Sequence, residues 1–202
     1  MDVYVESNFV LELALLQEQH ESCEKIIKLC EASKVNLILP AYSLVEPYET
    51  IVRYAKKRTK ISNDLVTEVK QLSRSKPYQE EIEALQKING FLVRSQEEEK
   101  TRLRSTIDRL LAVTEIIPLD AQILSAASKY QLAHDLSPQD SIVYASVLQR
   151  LSNSGSVAKC FLNRNSKDFD DPDIEDALNK YGCKTLFGFD SGYAYISSKI
   201  GS

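Results

Sequence analysis

Short apolar runs alternate with longer helical patterns along most of the sequence. The first run, residues 3–5, alternates valine with tyrosine as a strand does, and it ends abruptly in Glu6-Ser7-Asn8. Residues 9–19 follow and are apolar nearly all round, which is the pattern of a helix buried against a sheet. The chain therefore opens with a buried strand, a polar turn and a buried helix.

The same alternation continues downstream. Further buried strands are predicted at residues 35–39, 157–162 and 184–186, with helices between them. The predicted helices comprise residues 21–32, a helix from about residue 43 or 46, and helices capped by Asp120, Ser137 and Asp171, and the tail from residue 187 is predicted to be irregular. Strands separated by helices predict an α/β protein with three α/β/α layers around a central parallel sheet of about four to five strands.

The composition changes after Tyr54, where a basic cluster precedes about fifty mostly polar, helix-forming residues. Narrow apolar stripes in this stretch predict helices that pack on each other rather than on the sheet, with Pro77 and Asn89-Gly90 separating successive stripes. We therefore interpret residues 61–102 as a helical insertion within a single domain that spans residues 1–202. The acidic run at residues 97–99 is predicted to be a solvated face.

Composition and charge limit the functions that need to be considered. The chain has 202 residues, of which 43% are apolar, so it can bury a full core. A net charge of -4 argues against binding nucleic acid by bulk electrostatics, so any such contact must be local. No apolar run is long enough to span a membrane and no leader-like start is visible, so a cytoplasmic location without membrane contact is expected.

Cysteine and histidine usage argues against a zinc site. The four cysteines are predicted to be buried free thiols, because no two of them have C-x-x-C spacing. His20 and His134 have no ligand partners at metal-site spacing, so the sequence disfavours a histidine-based zinc site.

Three acidic residues recur near predicted strand ends or helix starts, and they are Glu6, Glu46 and Asp140. Ligands of open parallel α/β sheets bind outside the carboxyl ends of the strands, so each of these carboxylates is a site candidate. Several carboxylates at one edge require a cation, because like charges repel and raise each other's pKa values. Hard oxygen ligands without histidine or thiolate favour Mg²⁺ or Mn²⁺.

Helix capping offers a simpler explanation for each acid. Ser7 or Asn8 could cap the first helix and leave Glu6 as an incidental first-turn charge. Glu46 could complete a capping box or be the cap ahead of Pro47, and Asp140 could be a first-turn charge that favours the helix dipole. The sequence alone leaves both explanations open.

Four segments resemble the PIN domain family in order and context, and they are VYVESNFVLELAL, LILPAYSLVEPYETI, LSPQDSIVYASVL and CFLNRNSKDF. The resemblance covers residues 1 to about 55 and about 115 to 186, and it leaves the insertion outside. PIN domains are largely metal-dependent ribonucleases, including the toxins of many prokaryotic toxin–antitoxin pairs. The resemblance therefore implies a PIN-like fold and hydrolysis of RNA phosphodiester bonds by water activated on one or two divalent ions.

The resemblance also assigns roles to residues. Glu6 stands where the family usually has an aspartate, Glu46 at the second acid and Asp140 at the third. The fourth acid falls on Asn165, an amide, with Asp168 as a nearby secondary acid. The implied catalytic set is all five residues, and Glu6, Glu46, Asp140 and Asp168 would bind the metal. The longer side chain of Glu6 moves one carboxylate, and Asn165 removes one negative charge.

Basic residues near the Glu46 helix are candidates for binding the RNA backbone, and they are Arg53, Lys56, Lys57 and Arg58. A solvated cationic helix end is the alternative. Ser7 and Asn8 would orient the first carboxylate or bound waters. The partners that the resemblance implies are RNA, an antitoxin-like protein and, in a homodimer, a second copy of the chain.

Two other functions stay open at the level of sequence. A PIN-like scaffold that has lost its chemistry through Glu6 and Asn165 would act as an RNA-binding or protein-interaction module. An acidic phosphatase-like or receiver-like enzyme with a phosphorylated aspartate is disfavoured, because no lysine at a later strand end and no phosphate-cradling glycine loop is present.

Overall fold

The computed structural model describes residues 1–155, 157–165 and 169–201, and the side chains of residues 79 and 80 also lie outside the description. The strands are β1 (Asp2–Val5), β2 (Asn36–Pro40), β3 (Glu115–Ile117), β4 (Lys159–Asn163) and β5 (Cys183–Phe187). The helices are α1 (Ser7–Leu15), α2 (His20–Glu31), α3 (Tyr42–Leu72), α4 (Gln79–Val113), α5 (Ala121–His134), α6 (Pro138–Ser152), α7 (Pro172–Asn179) and α8 (Phe189–Ile200). A 3₁₀ turn, Lys76–Tyr78, joins α3 to α4.

All strand pairs are parallel, and the sheet order is β3-β2-β1-β4-β5. Successive residues of the central strands face opposite layers: Val3 and Val5 pack towards α1 and α2, whereas Tyr4 packs towards α5 and α6. The predicted three-layer α/β/α fold with a parallel sheet is confirmed. The fifth strand, β3, is only three residues long, which is too short for its apolar pattern to reveal it.

Helices α3 and α4 form a long antiparallel hairpin. At 1.5 Å per residue the 31-residue α3 is about 46 Å long. The prediction that Asn89-Gly90 separates two helices was wrong, because α4 continues through Gly90. A single glycine inside an α-helix costs only about 1 kcal/mol, which the rest of the helix can offset. Within the described residues, the two core clusters of the domain contain none from 61–102. That this segment is a separable insertion stays a prediction.

The C-terminal tail differs from the prediction, because it forms helix α8 instead of an irregular segment. Phe189 packs edge-on against Phe9 with ring centroids 5.3 Å apart. A Cβ at Gly192 would lie 2.8 Å from Leu162 Cδ1, so this glycine permits a close approach of α8 to the sheet. The glycine that suggested irregular structure therefore serves tight packing.

The four cysteines are buried free thiols, as predicted. A search of the described helices finds none with the length and hydropathy needed to cross a membrane.

Candidate active site

Glu6 lies directly after β1 and is itself the N-cap of α1. Its carboxylate, in a residue only 6% exposed, accepts hydrogen bonds from the backbone N–H of Asn8 at 2.7 Å and of Arg164 at 3.4 Å. The expectation that Ser7 or Asn8 caps the helix was wrong. Because β1 and β4 are neighbours on either side of the reversal in strand order, Glu6 lies where open α/β sheets bind ligands.

Glu46 is the fifth residue of α3, which begins at Tyr42 without a side-chain cap. Both capping explanations for Glu46 are therefore wrong, and Pro47 lies inside the helix instead of at its start. Ser7 Oγ donates a short hydrogen bond to Glu46 Oε2. The residue after the first acid thus orients the second acid.

Asp140 is the third residue of α6, and the predicted cap at Ser137 is confirmed. Ser137 Oγ accepts a hydrogen bond from the Asp140 backbone N–H at 3.1 Å and donates one to Asp140 Oδ2 at 2.5 Å. The cap that starts α6 therefore also fixes the orientation of the third carboxylate.

The acids act on each other electrostatically in two pairs, Glu6 with Glu46 and Glu46 with Asp140. Burial raises the pKa of Glu6 to about 7, opposed by the hydrogen bonds from Asn8 and Arg164 and reinforced by the charge of Glu46. Burial also raises the pKa of Glu46, which the Ser7 hydroxyl opposes and the charge of Asp140 reinforces. In the described parts of the chain, no lysine or arginine forms an ion pair with Glu6 or Glu46. No ion pair therefore neutralises Glu6 or Glu46 among the described residues, although the nearby charge of Arg53 opposes the raised pKa of Glu46.

The carboxylate oxygens of Glu6, Glu46 and Asp140 do not all approach within 4.8 Å of one another. Mg²⁺ tolerates this arrangement, because it usually keeps several waters and takes only one or two carboxylates directly. The donor chemistry of the three residues therefore fits a hydrated hard cation.

A second group of potential ligands surrounds His134, the last residue of α5. One ligand atom each from His134, Asp171 and Asp173 lies within 4.8 Å of the others, and within the described residues this is the one such group of three. The sequence argument considered only partners at metal-site spacing, and it did not anticipate this group because its other members lie 37 and 39 positions away. Asp171 also caps α7, accepting from the Asp173 N–H at 2.8 Å.

The loop after β4 borders the same edge. Asn163, the fully buried last residue of β4, accepts a hydrogen bond on Oδ1 from the Asn165 backbone N–H at 2.6 Å. The Asn163 Nδ2 atom is buried and has no hydrogen-bond partner among the described residues. Asn165 is half-buried beside it. Asp168, the predicted secondary acid and metal ligand, lies outside the described residues.

The predicted RNA-binding residues divide into two groups. Arg53, Lys56 and Lys57 are exposed on α3, and Arg53 and Lys57 share the helix face of Glu46 because they follow it by seven and eleven residues. Arg58 faces α4 instead, where its Nη1 lies 2.6 Å from Glu99 Oε2. Arg58 is thus a residue of the hairpin interface.

A comparison with known protein families identifies the family of the chain. The profile of the PIN domain matches residues 3–169, from β1 through the hairpin to the loop after β4. The chain belongs to the PIN domain family. The matched range includes Glu6, Glu46, Asp140 and Asn165. The resemblance that the four sequence segments indicated is therefore confirmed.

One solved structure similar to this PIN domain is the crystal structure of VapBC2 from Rickettsia felis bound to a DNA fragment from their promoter. The similarity covers 92% of this chain and 98% of that chain, at 11% sequence identity and a TM-score of 0.44. No curated protein matches the chain.

Sequence reasoning missed two contributors to this PIN edge. Asn163 was placed outside the predicted strand, although an amide that directly follows an apolar run is a signal of a buried polar strand end. Glu12 is the other, as a lone acid in the otherwise apolar stretch FVLELAL. A buried charge needs a partner, and the partner of Glu12 is Arg164, 152 residues later.

Proposed function

We propose that this PIN domain is a divalent-metal-dependent ribonuclease that hydrolyses RNA phosphodiester bonds. The observation that carries the proposal is the electrostatic coupling of Glu6, Glu46 and Asp140, which three separate elements bring to one sheet edge. Perturbed pKa values with specific charge partners in a ligand-binding position are typical of functional sites.

Glu6, Glu46 and Asp140, with Asp168, would hold Mg²⁺ or Mn²⁺. When bound, such an ion lowers the pKa of a coordinated water and neutralises charge on the scissile phosphate. Its presence would also favour the charged form of Glu6, whose pKa burial raises to about 7. Asn165 would contribute a neutral amide oxygen.

The remaining polar groups of the edge would orient these ligands. Ser7 holds the Glu46 carboxylate through its hydroxyl, and the Asn8 N–H holds Glu6. Ser137 holds Asp140. Ligands fixed in this way lose less conformational freedom when the ion binds.

RNA would approach along α3. Arg53 and Lys57 lie on the face of Glu46, and Lys56 and Lys60 are exposed nearby. Basic side chains that neutralise phosphates supply the sequence-independent part of RNA affinity. A local basic stripe of this kind is compatible with the net charge of -4. We leave Arg58 out of this set because Glu99 already pairs with it.

A cleavage assay on a labelled single-stranded RNA, with and without Mg²⁺ or Mn²⁺, tests the proposal. We expect metal-dependent cleavage by the wild type and a loss of about 100-fold or more in Asp140→Asn, since even residues that only orient metal ligands change activity 10–100-fold. Asp120→Asn is the matched control, because Asp120 is also a carboxylate at a helix start but caps α5, where it accepts from the Ile123 N–H at 2.8 Å. Equal rates in Asp140→Asn and the control would contradict the proposal.

A second candidate function is an RNA-binding PIN module with weakened chemistry. It is favoured by the separation of the three carboxylates, whose oxygens do not all lie within 4.8 Å. This module would bind RNA through α3 without cleaving it, whether Mg²⁺ or Mn²⁺ is present. The same assay, combined with an RNA-binding measurement, distinguishes the two functions.

We also propose a protein partner of the antitoxin kind, as for the toxins of this family, in a cytoplasmic setting. Val45, Tyr48 and Val52 form an exposed apolar stripe on α3 beside Glu46, with about half of each side chain exposed. A partner covering this stripe would also block the site. The alternative is that a second copy of the chain covers this stripe. Sedimentation of the purified chain tests it, because a homodimer would have twice the monomer mass of 22.8 kDa.

A further inference from the structure

Glu12 is a fully buried carboxylate that the proposed metal site does not use. It lies in the middle of α1, six residues after Glu6. One oxygen accepts a hydrogen bond from the Gln19 backbone N–H at 2.8 Å, and the other pairs closely with Nη1 of Arg164. Burying a carboxylate is costly, and even a buried ion pair gains little net stability because both charges lose their water. A role other than stability is therefore worth seeking for Glu12 and Arg164.

Arg164 connects Glu12 to the candidate active site. It is the first residue after β4, and its guanidinium is bound by Glu12 and, at 3.1 Å, by the exposed Glu18. Its backbone N–H points to Glu6 Oε1 at 3.4 Å. One residue therefore contacts the buried acid with its side chain and the site acid with its main chain.

The Glu6 carboxylate accepts hydrogen bonds from the backbone N–H groups of Asn8 and Arg164, and the Asn8 side chain contributes another. The Asn8 donor is fixed because it belongs to α1. The Arg164 donor belongs to the peptide group that follows Asn163, and the carbonyl of this group accepts from the Gly188 N–H at 3.0 Å. The sheet therefore holds this peptide group on its carbonyl side, and the side of Arg164 that faces the loop depends on other contacts. Asn163 Oδ1 holds the next residue, Asn165, through its N–H. The Arg164 side chain is held only at its far end, by the two glutamates.

We propose that Glu12 and Arg164 are a positioning pair that fixes the Glu6 carboxylate for metal binding. Glu12 anchors the guanidinium, and the anchored side chain holds Arg164 at the end of β4, so that its N–H stays directed at Glu6. Partners behind a metal ligand commonly set the orientation of that ligand. The inference rests on the proposed function, since it assigns Glu6 to a metal.

The first test needs no metal. In ¹H–¹⁵N spectra of the metal-free protein, Glu12→Gln should shift the Arg164 amide signal and speed its hydrogen exchange, while Gln at this position still accepts from the Gln19 N–H. Glu18→Gln is the matched control, because Glu18 contacts the same guanidinium but is 78% exposed, and it should leave the signal in place. An unchanged Arg164 amide in folded Glu12→Gln overturns the inference.

The second test separates positioning from stability. Glu12→Gln leaves a cation without its buried partner, so we pair it with Arg164→Met, which removes that cation; replacing both charges of a buried pair is often tolerated. The double variant should unfold at a denaturant concentration near that of the wild type yet bind Mn²⁺ about tenfold more weakly. Wild-type Mn²⁺ affinity in the folded double variant overturns the inference.

The two levels of the proposal fail differently. If the wild type binds no Mn²⁺, the proposed metal-dependent function is wrong, and the amide comparison between Glu12→Gln and Glu18→Gln still decides whether the pair positions the loop. If the wild type binds Mn²⁺ and both variants bind it equally well, only the positioning role is wrong.

Discussion

The carboxyl edge of the sheet and the α3–α4 hairpin both bury glutamates, but they balance the charge in different ways. In the hairpin, Glu99 is 12% exposed and pairs with Arg58 at 2.6 Å. At the sheet edge, Glu6 is 6% exposed and accepts hydrogen bonds from Asn8 and from the Arg164 backbone N–H. It has no ion pair among the described residues, and the charge of Glu46 acts on it. Glu99 in the hairpin has a cationic partner, whereas Glu6 at the sheet edge carries negative charge that a bound cation would balance.

The largest effect that separates the two regions should come from Glu6→Gln in the metal-free protein. Burial raises the Glu6 pKa from 4.5 to about 7, so folding favours its protonated form. The stability from this group is fully present below about pH 4.5 and is lost as the pH rises through about 7. The shift corresponds to on the order of 3 kcal/mol.

Urea unfolding at pH 5 and pH 8 measures this effect. At pH 8 the variant should be more stable than the wild type, because Gln at position 6 carries no charge, and most of the difference should disappear at pH 5. A variant that is less stable than the wild type at pH 8 would show that the Glu6 charge is already balanced.

In the hairpin, removing a glutamate charge should lower the free energy of unfolding instead of raising it. Glu99→Gln leaves Arg58 without its charged partner, and because Arg58 is a quarter exposed we expect a loss of only about 1–2 kcal/mol in the free energy of unfolding. Glu97→Gln is the matched control, since Glu97 pairs with Lys100 on the surface, and it should change stability by less than about 0.5 kcal/mol. Urea unfolding measures both changes in stability. An equal loss in Glu99→Gln and Glu97→Gln would show that the Arg58–Glu99 pair stabilises the hairpin no more than a surface pair does.

Adding charge to the sheet edge should sharpen the comparison. Asn165→Asp would add another carboxylate to the loop that follows β4, and we expect it to tighten Mn²⁺ binding by about tenfold because a hard cation is held by the number and charge of its oxygens. Calorimetric titration of both proteins measures it. The same affinity in both would show that residue 165 does not approach the ion.

The smallest expected effect concerns the basic residues of α3. Arg53→Gln should weaken binding of single-stranded RNA slightly and lower the slope of log affinity against log salt by about 0.7, the value for one lost phosphate contact. Arg58→Gln is the control, because the hairpin already uses Arg58, and its slope should equal that of the wild type. Fluorescence titrations at several salt concentrations measure both slopes, and a reduced slope in Arg58→Gln instead would reverse the assignment.

Most of the fold was predictable because the central strands are continuous apolar runs that are buried along their length. The runs around Val3, Leu37 and Phe161 are apolar on both faces, as a doubly covered parallel sheet requires. Helix α8 was missed because Gly192 suggested irregular structure, although this glycine permits close packing on Leu162. Of the two predicted starts of α3, residue 43 lies one residue from the observed start at Tyr42, whereas the start at residue 46 was wrong because Pro47 lies inside the helix.

The candidate site was predictable only where one residue carries the signal by itself. Glu6, Glu46 and Asp140 each follow a strand or open a helix, and the structure brings them to one edge. Their metal-binding role stays a prediction. The connection from Glu12 through Arg164 to Glu6, and the grouping of His134 with Asp171, depend on contacts between distant segments that sequence spacing does not encode.

Calorimetric titration of Mn²⁺ into the wild type and Asp140→Asn, at pH 6 and pH 8, tests the central claim that the carboxyl edge is a cation site. We predict that the wild type binds more tightly at pH 8, because Glu6 must lose its proton and its pKa is about 7, and that Asp140→Asn binds much more weakly at both pH values. Absent binding in the wild type, or affinity that depends on neither pH nor Asp140, would contradict the account.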